Sequence, residues 1–307
     1  MYYTALLGHP VHHSVSPWLF GALAATLPLE YGHLKIDVGS EDRLAEVLQA
    51  LRMLGFRGAN ITLPYKLAIT RYCGFLDEHA RRTRAVNTIA FRAGGIAGYN
   101  TDSIAALQAI QTYLKAVEES DKVLVLGAGG AARAIVSAVY HLCDNVTVLN
   151  IDPSSAESLS RDLSSAQKRA IRWGELTDRS VLEALIEATI VIQATSVGMY
   201  PGINDRIIPY EVLALAASAS DFERKCFFDA IFNPYRTHLL LDASSLGARV
   251  CSGTSMMIFQ AIQSFQIWTG YSVEGVNVDA LHDQFEKLVA HIDEPVCGCG
   301  HNCVQEE

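Results

Sequence analysis

The chain has 307 residues, about twice the ~150 typical of one domain, so two domains are expected. Half of the residues are apolar and 19% are charged, a balance that excludes wholesale disorder. With 24 basic against 33 acidic residues the formal charge is −9, which argues against a broad phosphate-neutralising surface and sets nucleic acid aside as a partner.

The first hundred residues alternate short apolar runs with helical patterns. The spacing predicts strands over 3–8, 31–37 and 58–63, with helices over 17–26 and 42–54 between them. A further helix is expected to open at Pro64, whose ring suits a first turn. Residues 88–92 and 96–99 flank Ala93-Gly94-Gly95 and read as a hairpin. A polar helix from 103 to about 119 then leads to a second layer. There, 122–126 is an unbroken apolar run, as befits a strand covered on both faces. A glycine-rich turn over 127–132 and a helix through 141 follow it. Strand 145–150, helix 154–164 and strands 190–194 and 226–230 continue the alternation, which right-handed crossovers wind into a doubly wound parallel sheet. Apolar helices are expected over 255–268 and 278–292; periodicity does not say where they dock.

The amino terminus has no basic segment and does not read as a secretory signal. The uncharged stretch 250–273 holds too many Ser and Gln for hydrocarbon, so a buried helix in a cytoplasmic protein, with no membrane partner, is the reading. Of seven cysteines, Cys73, Cys143, Cys226 and Cys251 lie in apolar segments and read as buried small hydrophobes. Cys297, Cys299 and Cys303 surround His301 near the end of the chain. The Cys-x-Cys pair is spaced more tightly than zinc ligands usually are, so residues 293–307 are expected to form a disordered Cys/Gly-rich tail, dispensable for chemistry, and no metal is assigned.

Gly127-Ala128-Gly129-Gly130-Ala131-Ala132 sits just after a buried strand and opens a helix. Gly127 permits the tight turn, Gly129 lets backbone approach a pyrophosphate, and the small Ala132 lets helix and strand pack closely. The helix N-terminus offers free N–H donors to phosphate. Strand, turn, helix and a continuing βαβ pattern together predict a dinucleotide site. The following strand ends at Leu149-Asn150-Ile151-Asp152, and no Lys or Arg occurs between Arg133 and Arg161. A 2′-phosphate needs a cation there, whereas a free ribose hydroxyl suits a carboxylate. Asp152, 25 residues beyond Gly127, is therefore read as a ribose acceptor that favours NAD; the alternative is that it only begins a turn before a helix capped by Ser154.

Three stretches of the first layer are denser in polar groups than an α/β shell needs: residues 13–17, 60–66 and 100–102. Ser14 and Ser16, at i and i+2, can turn both hydroxyls to one anion. Lys66 and Asp102 each stand just beyond a strand end, where clefts form, and such a pair is an acid–base candidate. Taken singly, these residues also fit a helix-start turn and a surface ion pair.

These segments resemble the shikimate dehydrogenase family, including its quinate/shikimate members, in order over about residues 3 to 290. Gly8-His-Pro-Val-His-His13-Ser14-Val-Ser16-Pro17 is similar to the family's carboxylate motif. Gly58-Ala-Asn60-Ile-Thr62-Leu-Pro64-Tyr-Lys66 resembles its lysine motif, Ala85-Val-Asn87-Thr88 a substrate-contact segment, and Gly98-Tyr-Asn100-Thr101-Asp102 its aspartate motif. Residues 127–132, Ala194-Thr195-Ser196-Val-Gly198-Met199, residues 229–234 and residues 260–270 follow at matching intervals. The resemblance implies an N-terminal α/β substrate domain and a Rossmann NAD-binding domain with a cleft between them. Residues 1–102 with about 255–292 would form the first and 103–254 the second. It implies reversible oxidation of a ring hydroxyl, of shikimate to 3-dehydroshikimate and in some members of quinate. Ser14 and Ser16 would hold the carboxylate, and Thr62, Asn87 and Gln260 the ring hydroxyls. Lys66, neutral or assisted by Asp102, would take the hydroxyl proton as hydride leaves, while Gly127, Ala128, Gly129, Gly130, Ala131, Asn150, Asp152 and Thr195 would line the NAD site.

The chain departs from the family at several positions. NADP-specific members carry Asn-Arg-Thr where this chain has Asn150-Ile151-Asp152, which supports NAD. Phe232 stands where members commonly have a carboxylate-binding tyrosine, Trp18-Leu19-Phe20 replaces a polar ending of the first motif, and Ser103 stands where glycine is usual. Retention of Ser16 favours shikimate, because quinate-preferring members often have threonine there. The leading expectation is an NAD-dependent shikimate 3-dehydrogenase, monomeric or homodimeric, acting on a small molecule. A quinate-preferring catabolic dehydrogenase and a non-catalytic sensor of nucleotide or metabolite are the alternatives.

Overall fold

The computed structural model describes residues 1–164, 170–272 and 276–292, with side chains through 288. The tail with Cys297, Cys299, His301 and Cys303 lies outside the described residues. In chain order the first layer comprises β1 (Tyr2–Gly8), α1 (Ser16–Ala24), β2 (Tyr31–Asp37), α2 (Leu44–Met53), β3 (Gly58–Ile61), β4 (Phe75–Leu76), α3 (Glu78–Thr83), β5 (Thr88–Arg92) and β6 (Gly95–Tyr99). After α4 (Thr101–Tyr113) come β7 (Lys122–Leu126), α5 (Gly130–Val139), β8 (Asn145–Asn150), α6 (Pro153–Ser164), β9 (Arg172–Glu175), α7 (Asp178–Glu187) and β10 (Ile190–Gln193). Then follow α8 (Tyr210–Ala219), β11 (Cys226–Asp229), α9 (His238–Ser245), β12 (Arg249–Cys251), α10 (Gly253–Thr269) and α11 (Val278–Ile292).

The strands form two six-stranded sheets, ordered β2-β1-β3-β5-β6-β4 and β12-β11-β10-β7-β8-β9. In the first, β2, β1 and β3 are parallel, and the β5–β6 hairpin adds antiparallel to β3. The second is wholly parallel and changes winding direction between β7 and β10, the crevice where doubly wound sheets hold ligands. Its strands are buried on both faces: Val123, Val125 and Val148 pack under α5 and α6, Leu124, Leu126 and Val191 under α7 and α8.

Two expectations fail locally, each for a hydrogen-bonding reason. No α-helix opens at Pro64. The Lys66 carbonyl accepts from Val86 N at 2.8 Å, Thr70 N turns instead to the Leu67 carbonyl at 3.3 Å, and the chain tightens into a 3₁₀ turn over Ala68–Tyr72. The helix expected from 103 to about 119 is shifted and shortened. Asn100 caps it by accepting from Ser103 N, and at its far end Arg249 takes the Leu114 carbonyl at 2.7 Å.

The docking of the last helices, open from the pattern alone, is resolved. α10 lies along α4 and α1 and buries Phe265 and Trp268 against Leu19 and Phe20 of the first layer. Phe285 of α11 is fully buried between Trp18 and Phe232, at ring-centroid distances of 5.8 and 5.9 Å. The end of the chain thus returns to the first layer, leaving one cleft between the sheets.

Candidate active site

β3 and β6 both run toward this cleft, and the turns after them carry Lys66 and Asp102. Lys66 Nζ donates to Asp102 Oδ2 at 2.8 Å, and the two side chains are only 22% and 9% exposed. Residues 36 positions apart in sequence therefore face each other. Asn87, at the start of β5, donates to Asp102 Oδ1 at 2.8 Å and accepts from Thr101 N at 2.8 Å, which holds the carboxylate at the head of α4. The Lys66 stem also reaches the second sheet: a side chain on Gly130 would begin 3.9 Å from its Cδ. The amine thus stands between the polar pocket of the first layer and the glycine turn of the second.

Ser14 and Ser16 bring their hydroxyls to 3.0 Å of each other at the N-terminus of α1, where the helix dipole favours an anion. Thr62 follows β3, with its amide bonded to the Leu7 carbonyl at 2.9 Å and its methyl packed against Gly8. Gln260 is buried in α10; its amide donates to the Met257 carbonyl at 3.0 Å and faces Met257 Sδ at 3.4 Å. No hydrogen bond joins Gln260 directly to the Lys66–Asp102 pair among the described residues.

A second set of polar groups carries no role in the sequence reading. Ser264, one turn beyond Gln260, bonds Thr88 at 2.8 Å and lies 3.3 Å from Thr101; Asn60 donates to Thr88 at 3.0 Å and to Ser264 at 3.2 Å. This buried network ties α10 to β3 and β5 directly beneath the pair. Asn60 Oδ1 is buried and finds no partner among the described residues. The repeated Ser/Thr/Asn along these segments was the available signal, but Ser264 joins it only through tertiary folding.

The nucleotide side is built around Gly127. Its φ of +107° lies where only glycine is unstrained, and a Cβ there would meet Thr195 Cγ2 at 2.8 Å and the Ala194 carbonyl at 2.9 Å. The turns after β7 and β10 are thereby pressed together at the crevice. Gly129 caps α5 and has open space where a Cβ would be; Ala128 is buried beside it, and Gly130 and Ala131 begin the helix. A cradle with exposed backbone donors and no side chains to fill it fits a pyrophosphate.

At the end of β8, Asn150 donates to the Asp152 carbonyl at 3.0 Å. The Asp152 carboxylate is exposed and accepts from the hydroxyls of Ser155 at 2.6 Å and Ser154 at 2.7 Å and from Ser154 N at 3.1 Å. Those two hydroxyls, Ser155 first, hold its pKa below the usual carboxylate value. Asp152 therefore starts α6 and also presents a negative charge at the crevice rim, next to an Ile151 that is 78% exposed. No described helix is long and apolar enough to cross a membrane.

The family model described as shikimate dehydrogenase substrate binding domain matches residues 6–89. The chain is 35% identical over 265 residues to the shikimate dehydrogenase (NADP(+)) of Pyrococcus abyssi, an alignment covering 86% of this chain and 91% of the relative. Among solved structures it resembles shikimate 5-dehydrogenase from Listeria monocytogenes in complex with shikimate and NAD, with a TM-score of 0.81 and 26% identity over 92% of this chain and 96% of that one. Quinate dehydrogenase from Corynebacterium glutamicum in complex with NAD gives a TM-score of 0.81 and 27% identity, covering 93% and 99% of the two chains. In its sequence, in both of its sheets and in the cleft between them, the chain belongs to the shikimate dehydrogenase family.

Proposed function

We propose that the protein is an NAD-dependent shikimate 3-dehydrogenase that interconverts shikimate and 3-dehydroshikimate. The observation that carries this reading is the Lys66–Asp102 pair, 2.8 Å apart and beside Gly130. One group that exchanges a proton, one carboxylate that orients it and a nucleotide cradle within reach are what dehydrogenation of an alcohol requires. In this reading residues 1–102 with about 255–292 form the substrate lobe and 103–254 the cofactor lobe.

Ser14 and Ser16 hold the substrate carboxylate at the head of α1, and Thr62, Asn87 and Gln260 hold ring hydroxyls. In the oxidative direction Lys66 acts as the free amine: its Nζ takes the proton from the reacting hydroxyl, and the ammonium so formed, paired with Asp102, returns that proton on reduction. Asp102, fixed through its other oxygen by Asn87, keeps the amine aimed and balances its charge. Gly127, Ala128, Gly129, Gly130 and Ala131 hold the pyrophosphate, with Thr195 and Asn150 at the crevice walls. When bound, the nicotinamide supplies the hydride acceptor.

Preference for NAD rests on Ile151 and Asp152, which leave no cation beside the ribose and add a charge that repels a 2′-phosphate. The relative from Pyrococcus abyssi is named for NADP(+), so the cofactor is the point at which this chain departs from it. Initial rates with shikimate and quinate, each with NAD and NADP, test the whole reading. Turnover is expected to be highest with shikimate and NAD. A clear NADP preference refutes the role of Asp152, and quinate oxidation without shikimate oxidation refutes the substrate.

A further inference from the structure

Lys35 lies on the edge strand β2, two residues after His33, so both side chains leave the same face of the sheet. His33 is buried on that face, its ring stacked on Phe20 of α1 at 4.3 Å. The same face carries Lys35 up to the entry of α1. Its ammonium donates to the His12 carbonyl at 2.5 Å and to the Ser14 carbonyl at 3.3 Å. Those carbonyls bracket the turn from which the Ser14 hydroxyl projects. Ser14 Oγ in turn accepts from Ser16 N at 3.2 Å, and Val15, at the cap position of α1, makes no side-chain cap bond. One ammonium therefore latches, from the carbonyl side, a turn whose amide side is held by the Ser14 hydroxyl.

Three histidines, Lys35 and Asp37 surround this turn. His12 and His13 meet edge to face at 5.3 Å, and burial together with the nearby His12 and Lys35 lowers the pKa of His13. His9 and Asp37 pair with each other at 2.6 Å, a bond that lowers the pKa of Asp37, so the Lys35 ammonium and the Asp37 carboxylate are the standing charges of the group.

We propose that Lys35 is a positioning residue for the substrate carboxylate: it fixes the Ser14–Ser16 turn and places a cation behind it. This deepens the proposed function and rests on it. Lys35 touches no reacting atom, so its effect belongs to carboxylate binding rather than to hydride transfer.

The test compares wild type, Lys35→Met and Lys35→Arg on shikimate and on shikimate methyl ester at saturating NAD, with calorimetric binding of both compounds alongside. Lys35→Met is expected to raise KM for shikimate about tenfold with kcat within about twofold, and Lys35→Arg to restore most of the loss. With the uncharged ester the two enzymes should differ little. An equal penalty on acid and ester, or an unchanged KM for shikimate, overturns the role of Lys35. Wild type that neither binds nor oxidises shikimate overturns the functional reading, and this inference with it.

Discussion

Asn87 donates its side-chain amide to Oδ1 of Asp102 across 2.8 Å, and Oδ2 is left to Lys66 at the same distance. The carboxylate is thus held from behind by a neutral donor and meets the amine with one oxygen. If Lys66 moves the proton, as proposed, Lys66→Ala should lower kcat by about a thousandfold, within the range of general acid–base catalysis, while NAD affinity stays near wild type. Stopped-flow turnover and cofactor titration check both halves. Turnover close to wild type would remove Lys66 from the proton transfer.

Asp152 separates two roles that one residue combines. It starts α6 through Ser154 and Ser155, and in the proposed reading its charge faces the ribose. Asn can make the same turn without the charge. Asp152→Asn should therefore melt close to wild type yet lose discrimination against NADP, whereas Asp152→Ala should lose both the turn and the discrimination. Thermal melts and kcat/KM for the two cofactors measure this. An unchanged cofactor ratio in Asp152→Asn would leave the residue with the helix start alone.

Legibility from sequence divides along physical lines. β7 stands out as a continuous apolar run, β8 as the next strand of the alternation and β5 by the Gly-rich turn of its hairpin, and α11 falls on its expected span because its apolar stripe is regular. Lys66 and Asp102 are legible as chemistry, since each ends a strand in a polar segment. β9, β12 and β4 are missed because strands of two to four residues on or near sheet edges carry too short a pattern. The 3₁₀ turn after Pro64 depends on a hydrogen bond from Val86, 20 residues beyond Lys66, and Ser264 reaches Thr88 across 176 residues. Neither partner can be found by local periodicity.

The glycines of the nucleotide turn should respond differently to the same methyl group. Gly127→Ala forces a side chain to a φ of +107° and within 2.8 Å of Thr195, so both stability and NAD binding should fall. Gly129 has a φ of −75° and free space at its Cβ position. Gly129→Ala should melt like wild type yet bind NAD weakly, because the methyl group occupies the space left for the pyrophosphate. Paired melts and NAD titrations check this. Wild-type NAD affinity in Gly129→Ala would place the pyrophosphate elsewhere.

Asp229 ends β11 fully buried, where it accepts from Ile231 N at 2.9 Å and from Thr237 Oγ1 at 2.6 Å. Burial outweighs those two bonds and pushes its carboxyl up from 3.8 to about 7. The folded protein therefore binds a proton at this site that the unfolded chain has already released. That contribution to stability is fully present below pH 3.8 and is lost as pH rises toward about 7. Asp229→Asn keeps a neutral group of the same size and removes the titration. The difference in melting temperature between wild type and variant should shift by several degrees against wild type between about pH 4 and about pH 7, read by calorimetry at matched ionic strength. A difference that stays constant over that range would mean that the carboxylate is ionised in the folded state throughout, stabilised by Thr237 and the Ile231 amide despite its burial.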